Sequence, residues 1–595
     1  MSFAADDASP TSSLPSSPST SATSLNGSIS GDEGEYRAPL NGEAPEPSID
    51  GTSVAGGEGG VRATSAEEVG DEEKKLALHI KSQANALFSQ SKYRDSLDLY
   101  TASLNKNPFD AIVWSNRAAV RLKLEEHGLA IADATRAIEL DPRAVKAYFR
   151  RGIANLAVLK PKAALVDLKK VRFSPPAFPS CVGFPPDSFF TTHQVVQLDP
   201  NNAPAKSQLD ATQKLIRRLA FEAAISSKDE VLTSIKIKEQ LEQGGSPIDS
   251  DYKGPRLPED GLPTAEFVEE MMQWFKDSNV LPRRLAWQII LGAYDVLKEE
   301  ETLVDVEIPE GQTINIIGDT HGQYYDFLHL LSLTGKPSPT HSLLFNGDFV
   351  DRGSWSTEIL LTLFAYKCAW SFASLMLKRR GLTDGYGFEG EMKKKYSELT
   401  YKLCEEVFIA LPLATLVSAS SPPRIDATPN PPNPTLHLGK KRFFVVHGGL
   451  FSKDSVTLAD IRAVPRKTIK QPGQEGLMCE MLWCDPQDAV GRGPSKRGVG
   501  LGFGPDVTSR WTEANEVTAV IRSHEVRQGG YSVEHGGLLI TVFSAPNYVD
   551  QVGNLAAFAT IDETGEIEYT TFKEQPHPTH IRPMQYAEGM GMMGM

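Results

Sequence analysis

Four apolar runs in the second half of the chain break off on aspartate or histidine. INIIGDTHG carries Asp319 and His321, SLLFNGD carries Asp348, RFFVVHGG carries His447 and TAVIRSHE carries His524. Each run is short and rich in β-branched or aromatic residues, with its polar residue at the C-terminal end. Strands buried side by side in a sheet deliver such residues to one rim, where ligand sites form. A single Asp or His after a strand is ordinarily a cap or a satisfied turn residue. Four such ends drawn only from Asp and His form a donor set, and carboxylate oxygen with imidazole nitrogen suits Mn²⁺, Fe²⁺ or Zn²⁺. One shared carboxylate would allow two ions side by side, the arrangement that hydrolyses phosphoesters. Charge developing on a phosphoryl group would then call for arginine, whose guanidinium matches it bidentately.

The motifs GDTHGQ, GDFVDRG, HGGLF, SKRGV, RSHE and FSAPNY follow in that order, and on them the chain resembles the serine/threonine phosphoprotein phosphatases. The resemblance implies an α/β metallophosphatase domain, a β-sandwich flanked by helices. It implies two divalent ions (Mn²⁺ or Fe, with Zn²⁺ possible) held by Asp319, His321, Asp348, His447 and His524. Asp348 would bridge them, and His447 and His524 would complete one shell. Arg352 and Arg497 would clamp the phosphate, and Asp351 would orient the catalytic acid. Tyr548 would help shape the pocket, although a packing role is equally open, and Val549 stands where the family has cysteine. The implied reaction is hydrolysis of phosphoserine or phosphothreonine by hydroxide generated at the two metals, without a phosphoenzyme.

One family motif is missing. After GDFVDRG the family places RGNHE, whose Asn is a metal ligand and whose His donates the proton to the leaving group. Here the interval reads AYKCAWSFASLMLKRRGLTDGYGFEGE, and no Asn or His occurs between Asn346 and Asn430. The flanks LTLFAYK and YGFEGE both match. Clean borders around a wholly altered centre fit a shifted splice junction or reading frame; genuine loss is the alternative. Either way the second ion loses a ligand and protonation of the leaving group falls to solvent, where general acid catalysis ordinarily contributes about 10²–10⁴-fold. The competing reading is a catalytically impaired pseudophosphatase acting as a chaperone-binding adaptor. A small-molecule phosphoesterase fits less well, because SKRGV and FSAPNY are protein-phosphatase features.

The elements in front of this domain carry a repeat. LNKNPFDAIVWSNRAA aligns with IELDPRAVKAYFRRGIA, Pro108 and Pro142 being 34 residues apart. That period belongs to tetratricopeptide repeats, helix pairs that stack into an all-α superhelix because neither pair can bury its apolar face alone. Ala84, Ala118, Ala119 and Ala154 fall where such helices cross. The repeat domain is assigned to 71–215. A proline-rich segment, 171–194, interrupts it and delays the next matching proline to Pro200; an intron read in frame and a real surface loop explain it equally well. Lys81 and Asn85 share a helix face, as do Lys146 and Arg150. Basic residues on helices are ordinarily only solvated. With Asn116, however, these positions resemble the clamp by which related repeat domains hold the acidic C-terminal peptides of heat-shock chaperones of the heat-shock protein 90 type. The resemblance also implies that the repeats cover the catalytic channel until peptide or fatty acid releases it.

A helical linker is expected over 216–260 and the phosphatase domain over 261–575, with a Pro-rich surface loop at 418–434. Residues 1–70 form an acidic Ser/Gly/Pro-rich tail expected to be disordered, and 576–595 a C-terminal tail. Of the net charge of −15, residues 1–73 hold −12, from fourteen acids against Arg37 and Arg62. The remainder is near balance, with no basic face for nucleic acid. Cys181, Cys368, Cys404, Cys479 and Cys484 make no CxxC pair, which suits a reducing compartment, cytoplasmic or nuclear. MSFAADDASP lacks the pattern of a signal peptide. The apolar stretch 359–377 is expected to be a buried helix rather than a membrane span, because Lys367 lies within it.

Overall fold

The computed structural model describes residues 69–172, 206–217, 231–369, 375–376, 387–420 and 440–578, apart from a few single positions within them. Residues 1–68 and 579–595 of the expected tails and almost all of the interrupting segment 171–194 lie outside the described residues, as does most of the loop 418–434.

The repeat region is built of helices α1 (Asp71–Ser89), α2 (Tyr93–Lys106), α3 (Ala111–Lys123), α4 (His127–Leu140), α5 (Val145–Ala157) and α6 (Pro161–Arg172). Pro108 and Pro142 fall just beyond α2 and α4, where a missing N–H costs nothing. Ala84, Ala118 and Ala154 are fully buried at the crossings, while Ala119 is partly exposed. The 34-residue period extends to the polar contacts. Arg117 grips Asp133 through two hydrogen bonds, at 2.9 and 2.8 Å, and donates to Thr101 at 3.2 Å. One period later Arg151 grips Asp167 at 2.9 and 2.8 Å and donates to Thr135 at 3.1 Å. The guanidiniums lie 4.6 Å from the Trp114 ring and 5.7 Å from the Tyr148 ring respectively. Each arginine therefore ties three helices together. Residues 206–214 and 216–217, on either side of the boundary expected at 215, are helical.

The second domain contains a six-stranded sheet in the order β1-β5-β6-β10-β12-β11 and a five-stranded sheet in the order β14-β13-β2-β3-β4. The strands are β1 (Leu303–Ile308), β2 (Thr313–Ile317), β3 (Ser342–Asn346), β4 (Leu375–Met376), β5 (Ala414–Ala419) and β6 (Arg442–Val446). Then come β7 (Asp485–Pro486), β8 (Arg492–Pro494), β9 (Leu501–Phe503), β10 (Ala519–Arg522), β11 (Tyr531–Glu534), β12 (Leu539–Val542), β13 (Ala556–Asp562) and β14 (Ile567–Phe572). Ile314 and Ile316 of β2 meet Val445 and Ile521 of the larger sheet in one core. Ile317, Leu343 and Phe345 point the other way, into a second core with helices Arg283–Leu297 and Ser356–Ala369. Near-continuous apolar runs in β2, β3 and β6 are what this double coverage requires. The expected sandwich flanked by helices is therefore the fold.

Two corrections concern the surroundings of the interruptions. β5 runs into the segment expected as a loop from residue 418, and Ala419 is fully buried beside β6. Its run ATLVSA does not alternate, which concealed a strand covered on both faces. The apolar stretch 359–377 is not one helix: the helix ends at Ala369 and β4 pairs with β3. Lys367 is buried there against the Glu300 carboxylate. Among the described residues no helix is long and apolar enough to cross a membrane.

Removing Asp133 would strand Arg117 and Arg121, which both pair with it inside the array. Asp133→Ala should lower the stability of the repeat region by about 3 kcal/mol, as expected for breaking a buried pair. Urea denaturation of the full chain, monitored by hydrogen exchange of the amides in 71–172, measures it.

Candidate metal and phosphate site

The backbone builds the site before any side chain does. Thr320 N and His321 N both donate to the Asp348 carbonyl, at 3.2 and 2.9 Å, and Gly322 N donates to Phe349 O at 3.0 Å. In return Gly353 N donates to His321 O at 2.8 Å and Trp355 N to Gly322 O at 3.1 Å. The loops after β2 and β3 are thus zipped together, and only glycine fits where they touch. A Cβ on Gly353 would lie 2.4 Å from Gly322 C and from His321 O. His321, Asp348, Asp351, Arg352 and His524 all adopt positive φ. Such non-glycine residues cost about 1–3 kcal/mol each and persist only where the surroundings hold them.

Two triads of ligand atoms converge, Asp319, His321 and Asp348 in one and Asp348, His447 and His524 in the other, with the atoms of each within 4.8 Å of one another. All five residues are buried. His321 Nε2 lies 3.7 Å from Asp319 Oδ2 and 3.8 Å from Asp348 Oδ2, and His447 Nε2 lies 3.9 Å from that same Asp348 oxygen. The ring tautomers follow from the other nitrogens. His447 Nδ1 is 2.8 Å from Asn346 O and His321 Nδ1 is 3.2 Å from Val350 O. A carbonyl only accepts, so each Nδ1 carries the proton and each Nε2 offers a lone pair to a cation. Two buried carboxylates beside three imidazoles form a donor set that demands positive charge, and two divalent ions fit it.

Arg497 stands against this cluster. Its Nε donates to Asp485 Oδ2 at 2.6 Å and its Nη2 to His524 O at 2.7 Å. Arg522, itself fully buried, holds the other Asp485 oxygen at 2.8 Å and donates to Glu525 at 3.0 Å. Burial alone would raise the Asp485 carboxyl, but the guanidiniums of Arg497 and then Arg522 hold it well below the usual range. Arg352 is buried on the Asp348 loop. The Tyr548 ring lies 5.1 Å from the His321 ring and 5.4 Å from the Phe543 ring. Val549, beside it, is β-branched yet adopts a φ of 52°.

Asp351 accepts from Phe388 N at 3.0 Å, on the far side of the altered interval. There Glu391 caps the helix that begins at Ser356, accepting from Ser356 N at 3.2 Å and Thr357 N at 2.9 Å. Lys395 joins Glu391 at 2.8 Å to Glu358 at 2.7 Å. Burial pushes the Glu358 carboxyl up to about 7, against the pull of Lys395. Both borders of the interval are therefore anchored to the site. Residues 370–386, apart from β4, lie outside the described residues.

In the repeats, Asn85, Asn116 and Arg150 form one line. Asn116 Nδ2 donates to Asn85 Oδ1 at 3.3 Å, and Arg150 donates to Asn116 Oδ1 at 3.2 Å. Burial lowers the Arg150 guanidinium to about 10. Lys81 pairs with Asp110 at 3.0 Å instead of joining that line, and Lys146 is exposed one turn before Arg150. Sequence reasoning missed Asn346, Asp485 and Glu391, which position ligands or arginines. Asn346 and Glu391 lie inside the quoted runs SLLFNGD and YGFEGE, but the groups all three residues position are distant in sequence.

Gly353→Ala should cost about 3 kcal/mol, because the clash is with backbone that cannot move aside, and metal binding should fall with it. Thermal unfolding with and without Mn²⁺, read beside metal content after dialysis, tests this.

Residues 312–528 match the family described as Calcineurin-like phosphoesterase, and residues 209–305 match the PPP5 TPR repeat region. Serine/threonine-protein phosphatase T of Aspergillus oryzae is 43% identical over 525 residues, covering 87% of this chain and 98% of that protein. The phosphatase T of Schizosaccharomyces pombe is 43% identical over 522 residues, covering 87% and 99%. Serine/threonine-protein phosphatase 5 of Homo sapiens is 39% identical over 529 residues, covering 88% and 95%. Likeness at this level runs through both the helical repeats and the sandwich whose strand ends carry the two triads, so the chain belongs to the serine/threonine-protein phosphatase 5/T family.

Proposed function

We propose that this chain removes phosphate from phosphoserine and phosphothreonine in proteins. The supporting observation is the carboxylate of Asp348, common to both buried triads and flanked by the loops of Arg352 and Arg497. Two divalent ions, Mn²⁺ with Fe or Zn²⁺ as alternatives, would be held by Asp319, His321, Asp348, His447 and His524 and would supply Lewis acidity and an acidified water. Arg497, aimed by Asp485, and Arg352 bind the phosphoryl oxygens and stabilise charge as it grows there. Tyr548 borders the same space.

In the reaction a water oxygen bonds to phosphorus while the bond from phosphorus to the serine or threonine oxygen breaks, and that oxygen takes a proton. The sequence supplies no Asn or His between Asn346 and Asn430, so the proton comes from solvent. The same absence favours a second reading: an adaptor that holds chaperone tails through Lys81, Asn85, Asn116, Lys146 and Arg150 and turns over slowly or not at all. Control by the repeats draws support from the contacts of Gly128 N with Lys496 O at 2.7 Å and of Lys160 Nζ with Gly498 O at 3.3 Å, on either side of Arg497. Entry of a peptide or fatty acid would loosen that grip. Among the described residues Cys368, Cys404, Cys479 and Cys484 are free thiols, which suits a cytoplasmic or nuclear setting.

Replacing residues 379–383 with Arg-Gly-Asn-His-Glu should raise kcat on a phosphoserine peptide by about 10²–10⁴-fold in Mn²⁺. A gain below tenfold would sink the idea that the missing pair limits turnover. For the clamp, Arg150→Ala should weaken an acidic chaperone C-terminal peptide about tenfold or more, the scale of a lost charged hydrogen bond. Calorimetric titration measures it, and unchanged affinity would remove the adaptor reading.

A further inference from the structure

Beyond β14 the described chain returns to the two loops that flank the site. Gln575 N donates to Asp326 Oδ1 at 2.6 Å, and Asp326 Oδ2 accepts from Gln323 Nε2 at 2.8 Å. That Gln323 amide also donates to Pro546 O at 2.8 Å, at the root of the Tyr548 loop. Two residues on, His577 Nε2 lies 3.3 Å from Asp550 Oδ1, while the ring packs edge-on to Trp355 at 5.4 Å. Its Nδ1 is sealed from solvent with no hydrogen-bond partner among the described residues. The imidazole is wedged between an acid and an indole, and the acidic groups it faces are Asp550 and Asp326.

These two contacts reach different parts of the site. Trp355 follows Arg352 by three residues and is tied to Gly322 beside His321. Asp550 follows Tyr548 by two. The loop of Tyr548 is the one that needs holding, since Asn547, Val549 and Asp550 have φ of 39°, 52° and 57°. Its internal bonds, such as Tyr548 N to Asn554 Oδ1 at 2.9 Å, close the loop on itself.

We propose that residues 573–578 are a staple that sets the Tyr548 loop against the Arg352 loop, with His577 as the positioning residue that tunes phosphate affinity. The affinity half rests on the reading that phosphate binds beside Arg352 and Tyr548; the staple itself does not.

The test uses the full chain loaded with Mn²⁺ and two readouts, calorimetric titration with inorganic phosphate and hydrogen exchange of amides 547–552. His577→Ala should weaken phosphate and speed exchange in that loop by about threefold each, the scale of one partly exposed hydrogen bond. Metal content and melting temperature should hold. His577→Gln, which keeps a donor at the Asp550 carboxylate, should recover most of both. Unchanged loop exchange in His577→Ala overturns the staple. Faster exchange with unchanged phosphate affinity overturns the affinity half. Wild-type chain that fails to bind phosphate overturns the phosphatase reading instead, and exchange still decides the staple.

Discussion

The carbonyl of Asp348 accepts amide hydrogens from Thr320 and His321 while its carboxylate faces both ligand triads. That residue therefore fixes backbone and chemistry together. If the loops after β2 and β3 separate, the carboxylate is no longer shared and His321 loses its aim. Everything around it serves that joint: β2 and β3 lie parallel and adjacent, so their C-terminal ends arrive side by side. Glycine at 353 lets the chains touch. The strain of five non-glycine residues at positive φ is tolerated because the core beneath is buried on both faces of the smaller sheet.

Around this joint lies a layer that does no chemistry but aims what does. Asp485 and Arg522 hold Arg497 from behind, and Glu525 ties Arg522 to Lys496 and Arg527. A buried carboxylate left between two guanidiniums stays charged, so the aim of Arg497 does not depend on ordinary changes of pH. On the opposite side Glu391 and Lys395 hold the helix that follows Arg352. These supports stand on both sides of residues 370–386 and hold the start of that helix and the Asp351 carboxylate in place.

The repeats are stabilised by recurrence. Arg117 with Asp133 and Arg151 with Asp167 solve the same packing problem one period apart, each arginine bridging helices and stacking on an aromatic ring. Planar guanidinium suits that double duty better than an ammonium would. The regular spacing also brings the turns before α4 and α6 to the SKRGV loop, where Gly128 and Lys160 reach its backbone.

The sequence alone determined the ligand types, their placement at strand ends and the 34-residue helical period. Those are local properties: a buried strand must be apolar along its length, and a stacked hairpin must repeat its small and large residues. Asp319, His321, Asp348, His447 and His524 stood out as candidates for that reason, and the superhelix was legible from its period, whereas the sandwich was implied by the family resemblance. Only the tertiary structure decided that Asp485 meets Arg497, that Glu391 caps a helix 35 residues upstream, that Lys81 turns to Asp110, and that His577 reaches Asp550. Such pairs depend on sheet order and chain return, which no short-range pattern encodes. β5 stayed hidden for a related reason: burial on both faces erased the alternation that marks a strand.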